Sequence, residues 1–214
     1  MVAHGDVLPS DRAVIDEGDF VVAVDGGAFA LERWRIVPHL VVGDMDSLGD
    51  AGVERLATEG AAVAKFAAAK DESDLELAVT QALAAGVTHI VLLGALGGER
   101  LDHEAANLLL LADPKYARVR IEARRGALRV RAVSGPGTLE VATPVGALVT
   151  LLPVAGDADG VTTEGMRYPL RDESLAFGRA RGVSNVVECT PATISLRRGS
   201  LLVFEIPQEV ARDA

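Results

Sequence analysis

Acidic side chains, glycines and cations follow four short apolar runs in the first half of this chain. Carboxylates are the ligands that hard cations such as Mg²⁺ prefer, while glycine, lysine and arginine suit close contact with phosphate oxygens. The pattern therefore indicates a site where a phosphorylated ligand and a divalent cation bind together. The segments that follow the four runs contain Asp25-Gly26-Gly27, Asp44-Met45-Asp46, Lys70 with Asp74, and Gly94, Gly97 and Gly98 before Arg100, Asp102 and His103.

Asp44 and Asp46 are separated by a single residue. In an extended segment the side chains at positions i and i+2 point to the same side, so these two carboxylates repel each other unless a cation lies between them. Mg²⁺ is often held by one or two carboxylates together with substrate phosphates. A solvated acidic turn, with Ser47 capping a helix, is the structural alternative, because two acids at this spacing are weak evidence by themselves.

Other residues of the set have structural explanations that stand beside the chemical one. The segment Ser73-Asp74-Leu75-Glu76 has the pattern of a capping box, and the helix dipole favours an acid such as Asp74 in the first turn. Asp102 fits the cap of the next helix, and His103 fits a hydrogen-bonded structural residue beside that helix start. The glycines that follow Asp25 fit a tight turn from a strand into a helix.

Alternating strands and helices bring these segments to one edge of a predicted sheet. Apolar runs predict strands over residues 20–24, 40–42, 62–66 and 89–93, and helical periodicity predicts helices over residues 74–85 and 102–112. Strands that alternate with helices form a parallel sheet covered on both faces. Ligands of such sheets bind beyond the carboxyl ends of the strands, which is where the polar segments lie.

The pattern changes near residue 124, where apolar and polar residues begin to alternate. Strands are predicted over residues 127–133, 145–154, 193–197 and 201–206, and turns between short strands are typical of an antiparallel sandwich or barrel. In the first of these strands Val130 is predicted to face one way and Arg129 and Arg131 the other. The chain is therefore expected to be an α/β protein with two domains, residues 1–123 and residues 124–214.

Composition and charge restrict the partners. The formal net charge of −10 at pH 7 disfavours nonspecific nucleic-acid binding, which needs a basic surface. The sequence has no apolar run of the ~20 residues that span a bilayer, and its start does not resemble a signal peptide. Cys189 is the only cysteine, so no intrachain disulfide can form. We expect a cytoplasmic protein that binds neither nucleic acid nor membrane.

The order of the motifs resembles the thiamine pyrophosphokinase family. The first four are VDGGA, GDMDS, KDESD and GGERLDH, at residues 24–28, 43–47, 70–74 and 97–103. Beyond the domain boundary, residues 165–170 (GMRYPL), 182–185 (GVSN) and 198–203 (RGSLLV) continue the similarity. Each motif is weak alone, but the whole ordered set is specific and spans almost the entire chain.

This resemblance implies an enzyme that transfers pyrophosphate from Mg-ATP to thiamine, giving thiamine diphosphate and AMP. It also implies an N-terminal parallel-sheet α/β nucleotide-binding domain followed by a C-terminal all-β sandwich domain. Family members are homodimers, with thiamine between the sandwich of one subunit and the α/β domain of the other. The implied roles are catalysis and Mg²⁺ binding for Asp44, Asp46, Asp74 and Asp102; ATP binding for Asp25, Gly26, Gly27, Lys70, Arg100 and His103; and thiamine binding for Ser184 and Asn185.

Two departures from the family pattern leave alternatives open. Glu99 stands between Gly98 and Arg100, where the family motif usually lacks a residue. Some relatives stack thiamine on a tryptophan of the second domain, but the only tryptophan here is Trp34. A pterin alcohol is an alternative acceptor in a similar cleft. A non-catalytic thiamine or nucleotide sensor is a further alternative, although a sensor has no need of four converging carboxylates.

Overall fold

The chain is divided into two compact units. A computed structural model describes residues 1–208 of the 214. The first unit contains Met1–Asn107 and Ala123–Gly126, and the second contains Leu108–Glu122 and the chain from Ala127 onward. The predicted boundary at residue 123 falls inside a strand, Arg120–Arg125. The predicted limits of the domains stay a prediction, and residues 209–214 of the second lie outside the described residues.

Strands and helices alternate through the first unit, as their periodicity predicts. The strands β1 (Val22–Val24), β2 (Leu40–Gly43) and β3 (Ala62–Lys65) pair in parallel, in that order. The first strand begins at Val22 rather than at the predicted Phe20, whose side chain is 40% exposed. No helix within residues 1–208 has the length and apolar character needed to cross a membrane. The elements are β1 (Val22–Val24), α1 (Ala28–Arg33), β2 (Leu40–Gly43), α2 (Gly49–Thr58), β3 (Ala62–Lys65), α3 (Asp74–Ala84), β4 (His89–Leu93) and α4 (Leu101–Leu110).

The N-terminal residues lie inside the sheet of the first unit rather than at its edge. Val2 forms parallel bridges to Ala23 of β1 and to Leu93 of β4. Its amide donates to the Val22 carbonyl at 2.9 Å, and its own carbonyl accepts from the Val24 amide at 2.9 Å. A segment too short to be recognised as a strand in the sequence therefore joins two strands, and its fully buried side chain belongs to the core of this unit.

Gly26 and Gly27 allow the turn after β1 to pack against this N-terminal segment. A Cβ atom on Gly27 would lie 1.9 Å from the carbonyl oxygen of Val2, and one on Gly26 would lie 2.4 Å from the ring of His4. Both glycines are buried. Close packing inside the unit thus explains both residues, for which the family resemblance implies contact with ATP.

Gly27→Ala is expected to destabilise the protein by about 3 kcal/mol, because the added methyl group overlaps backbone that cannot move independently of the sheet. Urea unfolding measures the loss. Gly52→Ala is the matched control, since a Cβ there meets Leu48 at an ordinary 3.4 Å. Within helix α2 this second change is expected to stabilise the protein by up to about 1 kcal/mol. Equal stability of the two variants would contradict the packing role of Gly27.

The second unit contains antiparallel strands. The strands are β5 (Arg120–Arg125), β6 (Leu128–Ser134), β7 (Gly137–Val141), β8 (Leu148–Pro153), β9 (Ala158–Glu164), β10 (Glu173–Leu175), β11 (Asn185–Val186), β12 (Ala192–Leu196) and β13 (Ser200–Ile206). One sheet has the order β10-β9-β12-β7, and β11-β8-β13-β6-β5 are consecutive in another. Residues from both sheets, among them Val149, Val161, Ile194 and Val203, belong to one apolar cluster. The whole chain is therefore a mixed α/β protein, as predicted.

Arg131 of β6 is buried, although the alternation of residue types places it on the polar face of that strand. Its Nε donates to Oε1 of Glu205 at 2.9 Å, and the Glu205 side chain is equally enclosed. Oε2 of Glu205 also accepts from the amide of Ala142 at 2.7 Å. The alternation of residue types along β6 concealed this pair, because its partner lies 74 residues away on β13.

Candidate active site

A cleft of about 540 Å³ lies in the first unit, beyond the carboxyl ends of its parallel strands. Its walls come from the segments that follow Val2, β1, β2, β3 and β4 and from the start of α3. The polar segments singled out in the sequence therefore meet at one edge. The predicted residues that line the cleft are Asp25, Asp44, Asp46, Lys70, Asp74, Arg100 and His103, while Asp102, Gly26 and Gly27 do not line it.

Three carboxylates of the cleft converge on one point. Each of Asp25, Asp44 and Asp46 offers an oxygen, and these atoms lie within 4.8 Å of one another. Oδ2 of Asp25 accepts from the Ser47 hydroxyl at 2.6 Å, but its Oδ1 is buried without a hydrogen-bond partner. A buried carboxylate oxygen of this kind is costly unless a cation or a proton satisfies it. The arrangement fits a hard cation such as Mg²⁺, which prefers oxygen ligands.

A tight turn, not an extended segment, brings Asp44 and Asp46 together. Met45 between them has φ 69°, and the Asp46 amide donates to Oδ1 of Asp44 at 3.1 Å. The sequence argument from alternating side chains was therefore wrong about the local geometry, although both residues are in the cluster. Asp25 has φ 43°, also rare for a residue other than glycine. Such strained residues concentrate at functional sites, where the surrounding structure holds them.

Gly43 at the end of β2 lets the strand pass close to Asp25. A Cβ atom there would lie 3.1 Å from the Asp25 Cβ, tighter than most real contacts. The glycine therefore allows the turn after β2 to approach the turn after β1, and the three carboxylates can share one ligand. The family resemblance implies ATP binding for Asp25, and this role stays a prediction. Spacing along the chain could not show that Asp25 approaches Asp44 and Asp46.

Asp74 lies in the cleft but outside the cluster of three carboxylates. Its Oδ1 accepts from Nζ of Lys70 at 2.5 Å, so the acid already has a cation partner. Helix α3 begins at Asp74, and the hydroxyl of Ser73 accepts from the Glu76 amide at 3.2 Å, as the predicted cap requires. Asp74 thus binds Lys70, which faces the cleft. The role of Asp74 as a metal ligand stays a prediction.

Asp102 is also paired with a cation of its own segment. Nε and Nη2 of Arg100 donate to its two oxygens at 2.9 and 2.6 Å. The hydrogen bond from Arg100 holds the pKa of the Asp102 carboxyl well below its usual range, although the pair is exposed. Helix α4 begins at Leu101, so Asp102 lies in its first turn rather than at the predicted cap. Its role as a metal ligand also stays a prediction.

A smaller cavity of about 130 Å³ lies in the second unit. It is lined by Ser184 and Asn185, the predicted thiamine contacts, and by Tyr168, whose side chain is 58% exposed. Asn185 is buried, and its amide group binds backbone: Oδ1 accepts from the Tyr168 amide at 3.0 Å and Nδ2 donates to the Tyr168 carbonyl at 2.8 Å. Asn185 therefore fixes the segment that presents the tyrosine ring.

The sequence could have revealed one feature of this cavity but not the other. Ser184 has φ 59°, and its amide donates to Oγ1 of Thr150 at 3.0 Å. Nothing in the residue type of Ser184 reveals this strained backbone. Tyr168 could have been recognised from the sequence, since it is the aromatic residue of the GMRYPL motif.

Fold and site together define the class of this protein. It is an α/β protein with an acidic, glycine-lined cleft beyond the ends of parallel strands, the place where open α/β sheets bind their ligands. A family model described as thiamin pyrophosphokinase, catalytic domain, matches residues 12–123. Another, described as thiamin pyrophosphokinase, vitamin B1 binding domain, matches residues 138–201. The chain belongs to the thiamin pyrophosphokinase family.

Relatives from two bacteria match nearly the whole chain. The thiamine pyrophosphokinase of Bacillus subtilis (strain 168) is 26% identical over 207 residues, which are 95% of this chain and 96% of that protein. A crystal structure of thiamin pyrophosphokinase from Geobacillus thermodenitrificans is 30% identical, covers 97% of this chain and 96% of its own, and has a TM-score of 0.83. The crystal structure of the Bacillus subtilis enzyme is 25% identical, with coverage of 96% and 97% and a TM-score of 0.84.

Proposed function

We propose that this protein transfers the pyrophosphoryl group of ATP to the hydroxyl of thiamine, giving thiamine diphosphate and AMP. The observation that carries the proposal is the group Asp25, Asp44 and Asp46, with its orphaned carboxylate oxygen, in the cleft of a chain of this family. The hydroxyl oxygen attacks the β-phosphorus in line and loses its proton to solvent, and the bond from that phosphorus to the oxygen of AMP breaks. Such transfers depend mostly on positioning and on neutralising charge.

The three converging carboxylates are the residues that would hold Mg²⁺. Bound there, the ion would offset the negative charge of the polyphosphate, which the acidic cleft otherwise repels. Ser47 orients Asp25 through its hydrogen bond to Oδ2, so that Oδ1 is left for the ligand. Asp74 and Asp102 belong to the same proposal as acids at the edge of the site.

Lys70 and Arg100 supply the positive charge for the phosphates. Both cations line the cleft, and each is held in place by an acid of its own segment. Arginine offers a fork that matches phosphate oxygens, and lysine adds a point charge. Asp102 is a poor proton acceptor for the attacking hydroxyl, because its lowered pKa makes it a weak base. Its proposed part is to orient Arg100.

The second domain, residues 124–214, is proposed as a β-sandwich that binds thiamine, and residues 1–123 as the parallel-sheet domain that binds ATP. The cavity beside Ser184 and the antiparallel sheets with a shared core support the first assignment. A homodimer in the cytoplasm belongs to the same proposal. Leu101 and Leu109 of α4, 75% and 56% exposed, are apolar surface that a second subunit would cover.

Tyr168→Ala is expected to raise the KM for thiamine about 10-fold, because the exposed ring is an aromatic face for the acceptor beside Ser184. The KM for ATP should stay within about twofold, since the residue lies outside the nucleotide cleft. Phe177→Ala is the matched control, as this ring is 60% exposed but does not line the cavity. Steady-state kinetics with each substrate varied measures both constants. Equal effects of the two substitutions would remove Tyr168 from the acceptor site.

The choice of acceptor tests the proposed function. Purified protein with ATP and Mg²⁺ receives thiamine in one reaction and a pterin alcohol in another, and AMP release is followed in both. We expect release with thiamine that stops when EDTA removes the metal. AMP release with the pterin alcohol but not with thiamine would show that a pterin is the acceptor. Tight nucleotide binding without any AMP release would favour a sensor.

A further inference from the structure

The loop of residues 94–98 follows β4 and forms one wall of the nucleotide cleft. Gly94, Gly97 and Gly98 have positive φ values of 65°, 75° and 93°. Glycine adopts such conformations without strain, but its backbone is also the most mobile in the unfolded or unrestrained state. A loop of this composition therefore needs contacts from outside to hold one shape against a bound phosphate chain.

Two side chains of α4 supply such contacts. Oε1 of Glu104 accepts from the Gly97 amide at 3.0 Å, and Nδ2 of Asn107 donates to the Ala95 carbonyl at 2.9 Å. Residues three apart lie on the same face of a helix, so α4 holds the loop at two points along one line. The opposite side is held by the amide of Gly5, which donates to the Gly94 carbonyl at 2.8 Å.

We propose that Glu104 is a positioning residue for nucleotide binding, acting through the Gly97 amide to fix the glycine loop in its binding conformation. The proposal rests on the proposed function, because it assumes that the loop receives the phosphates of ATP. A hydrogen bond with an ionised acceptor is the stronger kind, and fixing a loop before binding lowers the entropy lost on binding. Glu104 is half-buried, so its contact with Gly97 is only partly open to competition from water.

The Glu104 carboxylate could also weaken nucleotide binding, because its negative charge repels the polyphosphate. Glu104 lines the cleft together with Glu99, and both add negative charge to a site that binds anions. The two acids differ in one respect: Glu99 is exposed and, within residues 1–208, forms no hydrogen bond or ion pair, whereas Glu104 binds the loop. Comparing them separates the charge of the carboxylate from its contact with Gly97.

The test uses Glu104→Ala, Glu104→Gln and the control Glu99→Ala in the full chain. Alanine and glutamine are good helix formers, so α4 is expected to persist in both Glu104 variants. We expect Glu104→Ala to raise the KM and Kd for Mg-ATP about 10-fold, with kcat within about twofold. Glu104→Gln keeps an acceptor oxygen and should stay within about threefold of the wild type. Hydrogen exchange at Gly97 should be faster only in the alanine variant.

The outcomes separate this proposal from the proposed function. Glu99→Ala is expected to bind Mg-ATP as tightly as the wild type or more tightly, because it removes only a repelling charge. If Glu104→Ala does the same, the carboxylate acts by charge and the positioning role is wrong. Equal losses in the alanine and glutamine variants would also overturn it. A protein that forms no thiamine diphosphate would reject only the proposed reaction. The Kd for Mg-ATP and the hydrogen exchange of Gly97 need no turnover, so they would still test the contact between Glu104 and Gly97 in such a protein.

Discussion

Asp46→Asn is expected to lower turnover about 1,000-fold, which corresponds to a loss of about 4 kcal/mol of transition-state stabilisation. Asp46 is the exposed member of the group of three carboxylates, so the change removes a charge from the proposed metal site without creating a buried defect. The melting temperature should therefore stay close to that of the wild type. Initial rates of AMP formation with saturating ATP, Mg²⁺ and thiamine measure the effect.

Asp50→Asn is the control for this substitution. Asp50 lies in the first turn of α2 and does not line the cleft, so the same substitution of aspartate by asparagine can be made away from the site. Its rate should match the wild type within about twofold, because a surface substitution away from the site has little effect. Full activity of Asp46→Asn, or an equal fall in both variants, would contradict the assignment of the metal to this group.

Asp25→Asn is expected to stabilise the protein without metal while abolishing most of its activity. Oδ1 of Asp25 is buried without a partner and lies near the carboxylates of Asp44 and Asp46. Asparagine removes one of three like charges, and it tolerates the φ of 43° better than most residues. We expect a gain of about 1 kcal/mol, or 2–4 °C in melting temperature, of the kind seen when a functional site is relieved of strain.

Thermal unfolding with and without Mg²⁺ measures both parts of this prediction. A ligand that binds only the folded state raises the melting temperature, so Mg²⁺ should stabilise the wild type. The Asp25→Asn variant should start higher and respond little to the ion. A variant that unfolds earlier than the wild type in EDTA would show that the ionised Asp25 carboxylate supports the fold, contrary to the proposed metal site.

Periodicity predicted the four strands and the helices α3 and α4 of the first unit because each of them is continuous in sequence, whereas α1 and α2 were not predicted. The strand His89–Leu93 and the helix that begins at Asp74 were found at their predicted places. The cap on Ser73 was equally local, since its partner Glu76 is three residues away. Features of this kind depend on neighbours along the chain, and the sequence records them directly.

Features that depend on distant partners were missed or misplaced. The buried pair of Arg131 and Glu205 joins two strands whose residue types alone predict a solvent face for the arginine. Val2 lies between β1 and β4 with too few residues to be recognised as a strand. The group formed by Asp25 with Asp44 and Asp46 depends on the close approach at Gly43, which no spacing reveals.

The most direct test of the proposed reaction is the identity of its products. The protein is incubated with ATP, Mg²⁺ and thiamine, and the products are separated by chromatography and assigned by phosphorus NMR. Attack at the β-phosphorus predicts equal amounts of AMP and thiamine diphosphate, both absent when EDTA is present. ADP with thiamine monophosphate, or no product from correctly folded protein, would contradict the proposal.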